Sequence, residues 1–155
     1  MRDRHVEIIH RNTDYGLRAL LALAVSDAPA TVQELARECR VPAQFLHKVM
    51  QALAGAGIVQ AQRGPGGGYR LARPPEQVGL VQIMEALQGP VAVNRCVLGR
   101  DRCANSGRCG LADTWERVQR EVIGFLDGLT LARLLAEAQG GLQSNHGEVA
   151  DGGAS

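Results

Sequence analysis

Residues 41–71, VPAQFLHKVMQALAGAGIVQAQRGPGGGYRL, decide the fold. Val41-Pro42 puts a proline at a first helical position, where its missing N–H costs nothing. From Ala43 to Ala54 the apolar residues Phe45, Leu46, Val49, Met50 and Leu53 recur at helical spacing and predict an inward face. Gln44, His47, Lys48 and Gln51 are left on the other side, and Gly55 and Gly57 end the helix. Residues 58–61 and 69–72 read as short strands around Arg63-Gly64-Pro65-Gly66-Gly67-Gly68, which makes a β-hairpin.

Upstream, residues 14–25 read DYGLRALLALAV, and Leu17, Leu20, Leu21, Ala24 and Val25 form a helical stripe. Ser26-Asp27-Ala28-Pro29 is a turn cluster. Thr31 with Glu34 three residues on is a capping-box start for a short helix from Val32 to about Cys39. Two short helices joined by a tight turn, the second with a polar outer face, predict a helix-turn-helix. The hairpin that follows directly is then a wing.

Downstream, Pro74-Pro75 breaks the chain, and Leu80, Ile83, Met84 and Leu87 mark a helix closed by Gly89-Pro90. Residues 91–110 have little periodicity. A long helix begins near Leu111, with Leu111, Trp115, Val118, Val122, Phe125 and Leu129 at the 4-3-4-3-4 spacing of a heptad seam. Thr130 can cap a last helix with Leu131, Leu134 and Leu135. The expected fold is mainly α with a small β-hairpin: a winged helix-turn-helix plus a long C-terminal dimerisation helix. The predicted divisions are a DNA-binding domain over residues 11–75, a cysteine-loop and dimerisation region over 76–138, and a disordered tail over 139–155, which is rich in Gly, Ser and Asn.

Bulk properties narrow the function. The 155 residues suit one compact domain with an appendage. Aromatics are 3% of the chain against 45% apolar residues, so the core must be aliphatic. No run approaches the roughly 20 apolar residues that span a bilayer. Residues 1–11 are charged and lack the apolar segment of a secretory signal, which predicts a cytoplasmic protein with reduced thiols. The net charge of +1 hides an asymmetry: residues 1–75 carry +4 and residues 76–155 carry −3. A basic N-terminal half favours a polyanionic partner. No Ser–His–Asp set, phosphate loop or paired-carboxylate motif is present, so no enzyme is expected.

A winged helix-turn-helix sets its second helix in the major groove and its hairpin on flanking backbone or minor groove. Gln44, His47, Lys48 and Gln51 are therefore candidates for base edges or phosphates. The turn glycines, Gly66 and Gly67 among them, let backbone approach phosphates, with Arg63 and Arg70 flanking. Winged helices also serve as protein-binding modules. The order helix-turn-helix, wing, dimer helix favours DNA.

Cys96, Cys103 and Cys109 lie in CVLGRDRCANSGRCG, spaced C-x6-C-x5-C. Thiolates are soft ligands, and such a loop lets three converge on one metal centre. Arg95, Arg100, Arg102 and Arg108 offset their negative charge. The spacing is neither a zinc ribbon nor a ferredoxin run. On spacing alone an iron–sulfur cluster, a zinc site with one further ligand and a metal-free or redox-active thiol loop stay open. Cys39 reads as a packed small apolar residue.

TDYGLRALLALA, the helix within residues 41–57, RGPGGGYRL and the three-cysteine loop together resemble the IscR and NsrR family of bacterial transcriptional regulators, from about Arg11 to Glu137. The resemblance implies homodimers that pair through the long helix and bind imperfect palindromes in double-stranded operator DNA. It implies an iron–sulfur cluster on Cys96, Cys103 and Cys109 with one further ligand. IscR-like proteins use a histidine three residues after the last cysteine, where this chain has Ala112. NsrR-like proteins use an aspartate in the first helix of the other subunit, which Asp14 of TDYGLR matches. The resemblance thus favours a 4Fe–4S cluster with Asp14 from the partner, 2Fe–2S being the alternative. It puts Gln44, Phe45, His47 and Lys48 at DNA-contacting positions, with His47 replacing an acidic residue that selects operator type. The expected function is a repressor sensing nitric oxide or redox state. The competing reading is a winged-helix regulator or adaptor with a zinc-bound or metal-free loop.

Overall fold

A computed structural model describes residues 8–98 and 109–144, apart from the side chains of residues 95, 96 and 141–144. Six helices and one hairpin follow in order: α1 Arg11–Val25, α2 Val32–Cys39, α3 Ala43–Gly55, β1 Val59–Gln62, β2 Gly68–Leu71, α4 Leu80–Gln88, α5 Ala112–Asp127 and α6 Leu131–Ser144. Short 3-10 turns lie at Pro75–Gln77 and Arg95–Leu98.

The capping box at α2 is formed: Thr31 Oγ1 accepts from the Glu34 N–H at 3.3 Å, and Glu34 Oε2 accepts from the Thr31 N–H at 2.8 Å. Arg40 ends α2 in the left-handed conformation (φ 55°), and the Val41 N–H returns to the Ala36 carbonyl at 2.9 Å. This tight turn swings α3 across α1 and α2. Leu20 and Leu23 of α1, Leu35 of α2, Leu46, Met50 and Leu53 of α3 and Ile83 of α4 then bury one aliphatic core. Phe45 was expected in this core but is 48% exposed.

The hairpin is antiparallel, with Val59 opposite Leu71, Gln60 opposite Arg70, Ala61 opposite Tyr69 and Gln62 opposite Gly68. Both strands are shifted by one residue from the reading of the sequence. Ile58 is instead a core residue, 1% exposed, while Gly68 joins the ladder. Tyr69 also exchanges backbone hydrogen bonds with Ala30, at 2.9 and 2.8 Å, which tethers the wing to the chain before α2. Gly68 permits that approach. It has φ +153°, and a Cβ there would stand 2.5 Å from the Ala30 carbonyl.

The C-terminal part folds back onto this domain. The Leu80 N–H donates to the Leu129 carbonyl and the Leu131 N–H to the Val78 carbonyl, both at 2.8 Å. Leu131 is fully buried in the first core, so that core takes in residues from both sides of the expected boundary at 75/76. Helix α6 runs on to Ser144, so residues 139–144 are helical rather than tail; residues 145–155 lie outside the described ones.

Helix α5 has two apolar aspects. Ile123 and Leu126 pack on a second core of Leu80, Met84, Val91 and Leu129. Leu111, Val118 and Phe125 point outward, Leu111 58% and Phe125 67% exposed. Leu129 was expected as the last seam residue but is buried, because α5 ends at Asp127 and Leu129 belongs to the following turn. Among the described residues no helix is long and apolar enough to cross a membrane.

Candidate nucleic-acid interface and cysteine loop

Helix α3 presents Gln44, Phe45, His47, Lys48 and Gln51 to solvent, and no acidic residue occurs anywhere along it. Its N-terminal end carries the positive pole of the helix dipole. This suits a phosphate backbone. The Ile58 N–H donates to the Leu53 carbonyl at 3.0 Å, so the end of α3 leads into β1 without slack. Helix α3 and the wing are therefore directly joined.

In the wing, Arg63, Gly66 and Arg70 are exposed and Gly67 is half-buried. A Cβ on Gly67 would collide with the carbonyl oxygens of Gln62 and Gly64, so the turn takes its tight shape only with glycine there. Gln60 was not anticipated as part of the site. In the amide orientation that satisfies both side chains, its Oε1 accepts from Arg70 Nε at 2.7 Å and Nη2 at 3.0 Å. Arg70 is thus held across the strands while still exposed. The register that makes the two residues opposite is what the sequence alone does not show.

The metal-ligand candidates are spread over several elements. Cys109 is a free, half-buried thiol three residues before the first residue of α5. Cys96 stands in the 3-10 turn Arg95–Leu98, which packs against α5; its side chain lies outside the described residues, as do Cys103, Arg100, Arg102 and Arg108 and the side chain of Arg95. Asp14 lies on α1 and pairs with Arg18 at 2.9 Å, both side chains about half exposed. Cys39 is half-buried at the end of α2, and burial, reinforced by Glu38 and opposed by Arg18, raises its thiol pKa.

Two glutamines anchor the approach to the cysteine loop. Gln119 of α5 donates to the Val91 carbonyl at 2.7 Å and accepts from the Val93 N–H at 2.9 Å. Gln88, the last residue of α4, accepts from the His10 N–H and donates to the Ile8 carbonyl. Neither was expected from the sequence, since a glutamine on a helix carries no sign of which backbone it will meet.

With this arrangement in view, comparison with known proteins is decisive. The model of the Rrf2 family, described as iron-dependent transcriptional regulators, matches residues 9–137. The chain belongs to the Rrf2 family. It is 28% identical over 125 residues to the HTH-type transcriptional regulator IscR of Aliivibrio salmonicida, covering 79% of this chain and 74% of that one. Among solved structures it resembles CymR, the global cysteine regulator of B. subtilis, with TM-score 0.68, 25% identity and coverage of 83% and 96%. It also resembles IscR of T. potens, with TM-score 0.67, 25% identity and 93% of each chain covered. This Rrf2 protein is a winged-helix transcriptional regulator and not an enzyme.

Proposed function

We propose that this Rrf2 regulator is a cytoplasmic homodimer that represses transcription from a palindromic operator and senses nitric oxide or redox state through its cysteine loop. Helix α3 enters the major groove with Gln44, Phe45, His47, Lys48 and Gln51, and Arg63, Gly66, Gly67 and Arg70 of the wing meet flanking backbone. Subunits pair along Leu111, Val118 and Phe125 of α5, where Ile8, Val122, Phe125 and Leu126 line an open apolar groove of about 420 Å3. A second copy of the same helix supplies the apolar face that this groove lacks.

The observation that carries the reading is the packing of the Cys96-bearing turn against α5, the helix that Cys109 precedes. Two of the three cysteines thereby border the helix that would join the subunits. Three thiolates suit iron or zinc. Asp14 of the partner subunit completes the donor set, and freeing it from Arg18 costs at most about 1 kcal/mol for so exposed a pair. An iron–sulfur cluster there, 4Fe–4S in preference to 2Fe–2S, supplies an iron–thiolate centre that oxidants and nitric oxide attack. A change at that end of α5 alters the relation of the two recognition helices, and hence operator affinity.

Anaerobic purification followed by visible absorption and native mass spectrometry tests this. The expected result is a brown dimer with one cluster per chain, and a colourless Cys103→Ala variant. Colourless anaerobic protein with one zinc per chain, or with no metal, overturns the cluster in favour of the zinc-bound or metal-free loop.

A further inference from the structure

Phe45 is out of place on the surface it occupies. It sits in the first turn of α3, with its N–H on the Pro42 carbonyl at 3.0 Å, between exposed Gln44 and a helix face that continues with His47 and Lys48. Nearly half of it meets solvent. Leaving a large aromatic in water forgoes the stabilisation that burial would give. Val25 at the end of α1, and Leu111, Val118 and Phe125 on the face assigned to the second subunit, are exposed too, but of these apolar residues it is Phe45 that stands on the α3 face with Gln44, His47 and Lys48.

What surrounds Phe45 selects its partner. The helix is free of acids, its flanking side chains are amides and cations, and it is the first turn of a recognition helix that reaches base edges. The one apolar feature that base pairs display in the major groove is the C5-methyl group of thymine. We propose that Phe45 is a specificity-determining residue that packs on a thymine methyl in each operator half-site. This rests on the DNA-binding reading and deepens it: the amide and cationic neighbours supply hydrogen bonds and charge, while Phe45 demands a methyl at one position.

The test uses the full-length protein and a duplex selected by it from random sequence. Each thymine of that duplex is replaced in turn by deoxyuridine, which pairs identically and lacks only the methyl. The expected result is one position per half-site where the replacement weakens wild-type binding about fourfold, the value of one buried methyl. In Phe45→Ala the sensitivity at that position disappears and overall affinity falls. Phe45→Leu keeps part of it. Thermal denaturation of both variants checks that they are folded at the temperature of the binding assay. Sequence-selective binding with no methyl-sensitive position, or with the same sensitivity in Phe45→Ala, overturns the proposal and leaves DNA binding standing. Failure to enrich any sequence overturns both. Unchanged DNA affinity in Phe45→Ala, with loss of binding to another protein, gives the aromatic to a protein partner and also overturns the proposal.

Discussion

Thr13 Oγ1 donates a 2.7 Å hydrogen bond to Gln88 Oε1, joining the first turn of α1 to the last residue of α4. Thr13 has no exposed surface, so its hydroxyl has no water to turn to. Gln88 meanwhile holds the backbone at Ile8 and His10, at 2.9 and 3.0 Å. Gln88→Leu therefore strands a buried donor and should lower the unfolding free energy by about 1–3 kcal/mol. Thr13→Val removes the donor itself and leaves Gln88 its other partners, so it should cost less. Urea titration of both variants checks the order.

Glu34 gives a pH dependence whose sign is set by geometry. Its carboxylate accepts from the Thr31 N–H and hydroxyl, both at 2.8 Å, and these bonds, helped by Arg37, hold its pKa below the ordinary glutamate value. A depressed folded-state pKa adds stability above the unfolded pKa, and this is lost as pH falls through the folded value. Stability should therefore decline in the acid range below the usual glutamate pKa. Glu34→Gln should flatten that part of the profile in denaturation curves taken at successive pH values.

Gly68→Ala should unhook the wing. The new Cβ meets the backbone of Ala30 and Thr31, which cannot swing aside as a side chain would, and φ of +153° is strained for any L residue. A loss above about 1 kcal/mol is expected. Amide exchange at Ala30 and Tyr69 should quicken more than exchange in α3. Equal quickening throughout would show that the wing and α3 loosen as one.

Burial raises the Cys39 thiol, so it stays protonated at neutral pH and reacts slowly, because the thiolate is the nucleophile. In a variant with Cys96, Cys103 and Cys109 changed to serine, iodoacetamide should label the native protein far more slowly than the urea-unfolded one. Equal rates would refute the packing assigned to Cys39.

The elements whose signals are local were legible in the sequence. The Thr31–Glu34 box and the glycines around Pro65 each act within a few residues; helix α1 was legible too, although Val25 of its expected stripe is exposed and its buried face runs through Thr13, Gly16, Ala19, Leu20 and Leu23. What failed depended on neighbours distant in sequence. Periodicity places Phe45 beside Leu46 and Val49, yet those two are buried and Phe45 is half exposed. Leu129 continued the heptad numerically, yet Gly128 caps the helix before it. The ladder lies one residue nearer the turn than expected because Gly68 pairs with Gln62, and the tether to Ala30 that accompanies it leaves no sequence pattern. On α3 the expected polar residues Gln44, His47, Lys48 and Gln51 are exposed, and Phe45, expected inward, joins them. The glutamines at 60, 88 and 119 do not announce their partners.

The manner in which α5 is mounted has a mechanical meaning. Its end near Leu129 is riveted to Val78 and Leu80 by two backbone hydrogen bonds, while Gln119 grips residues 91–93 near its middle. The helix is 16 residues long. At 1.5 Å per residue that is about 24 Å of stiff rod. It is a lever held against the winged-helix core, with the turn that carries Cys96 packed on it and its far end beside Cys109. Tilting it by about 5° moves the far tip by about 2 Å over such a length. On the proposed function, a displacement at the Cys109 end would reach residues 78–80, where α4 begins, as a small rotation.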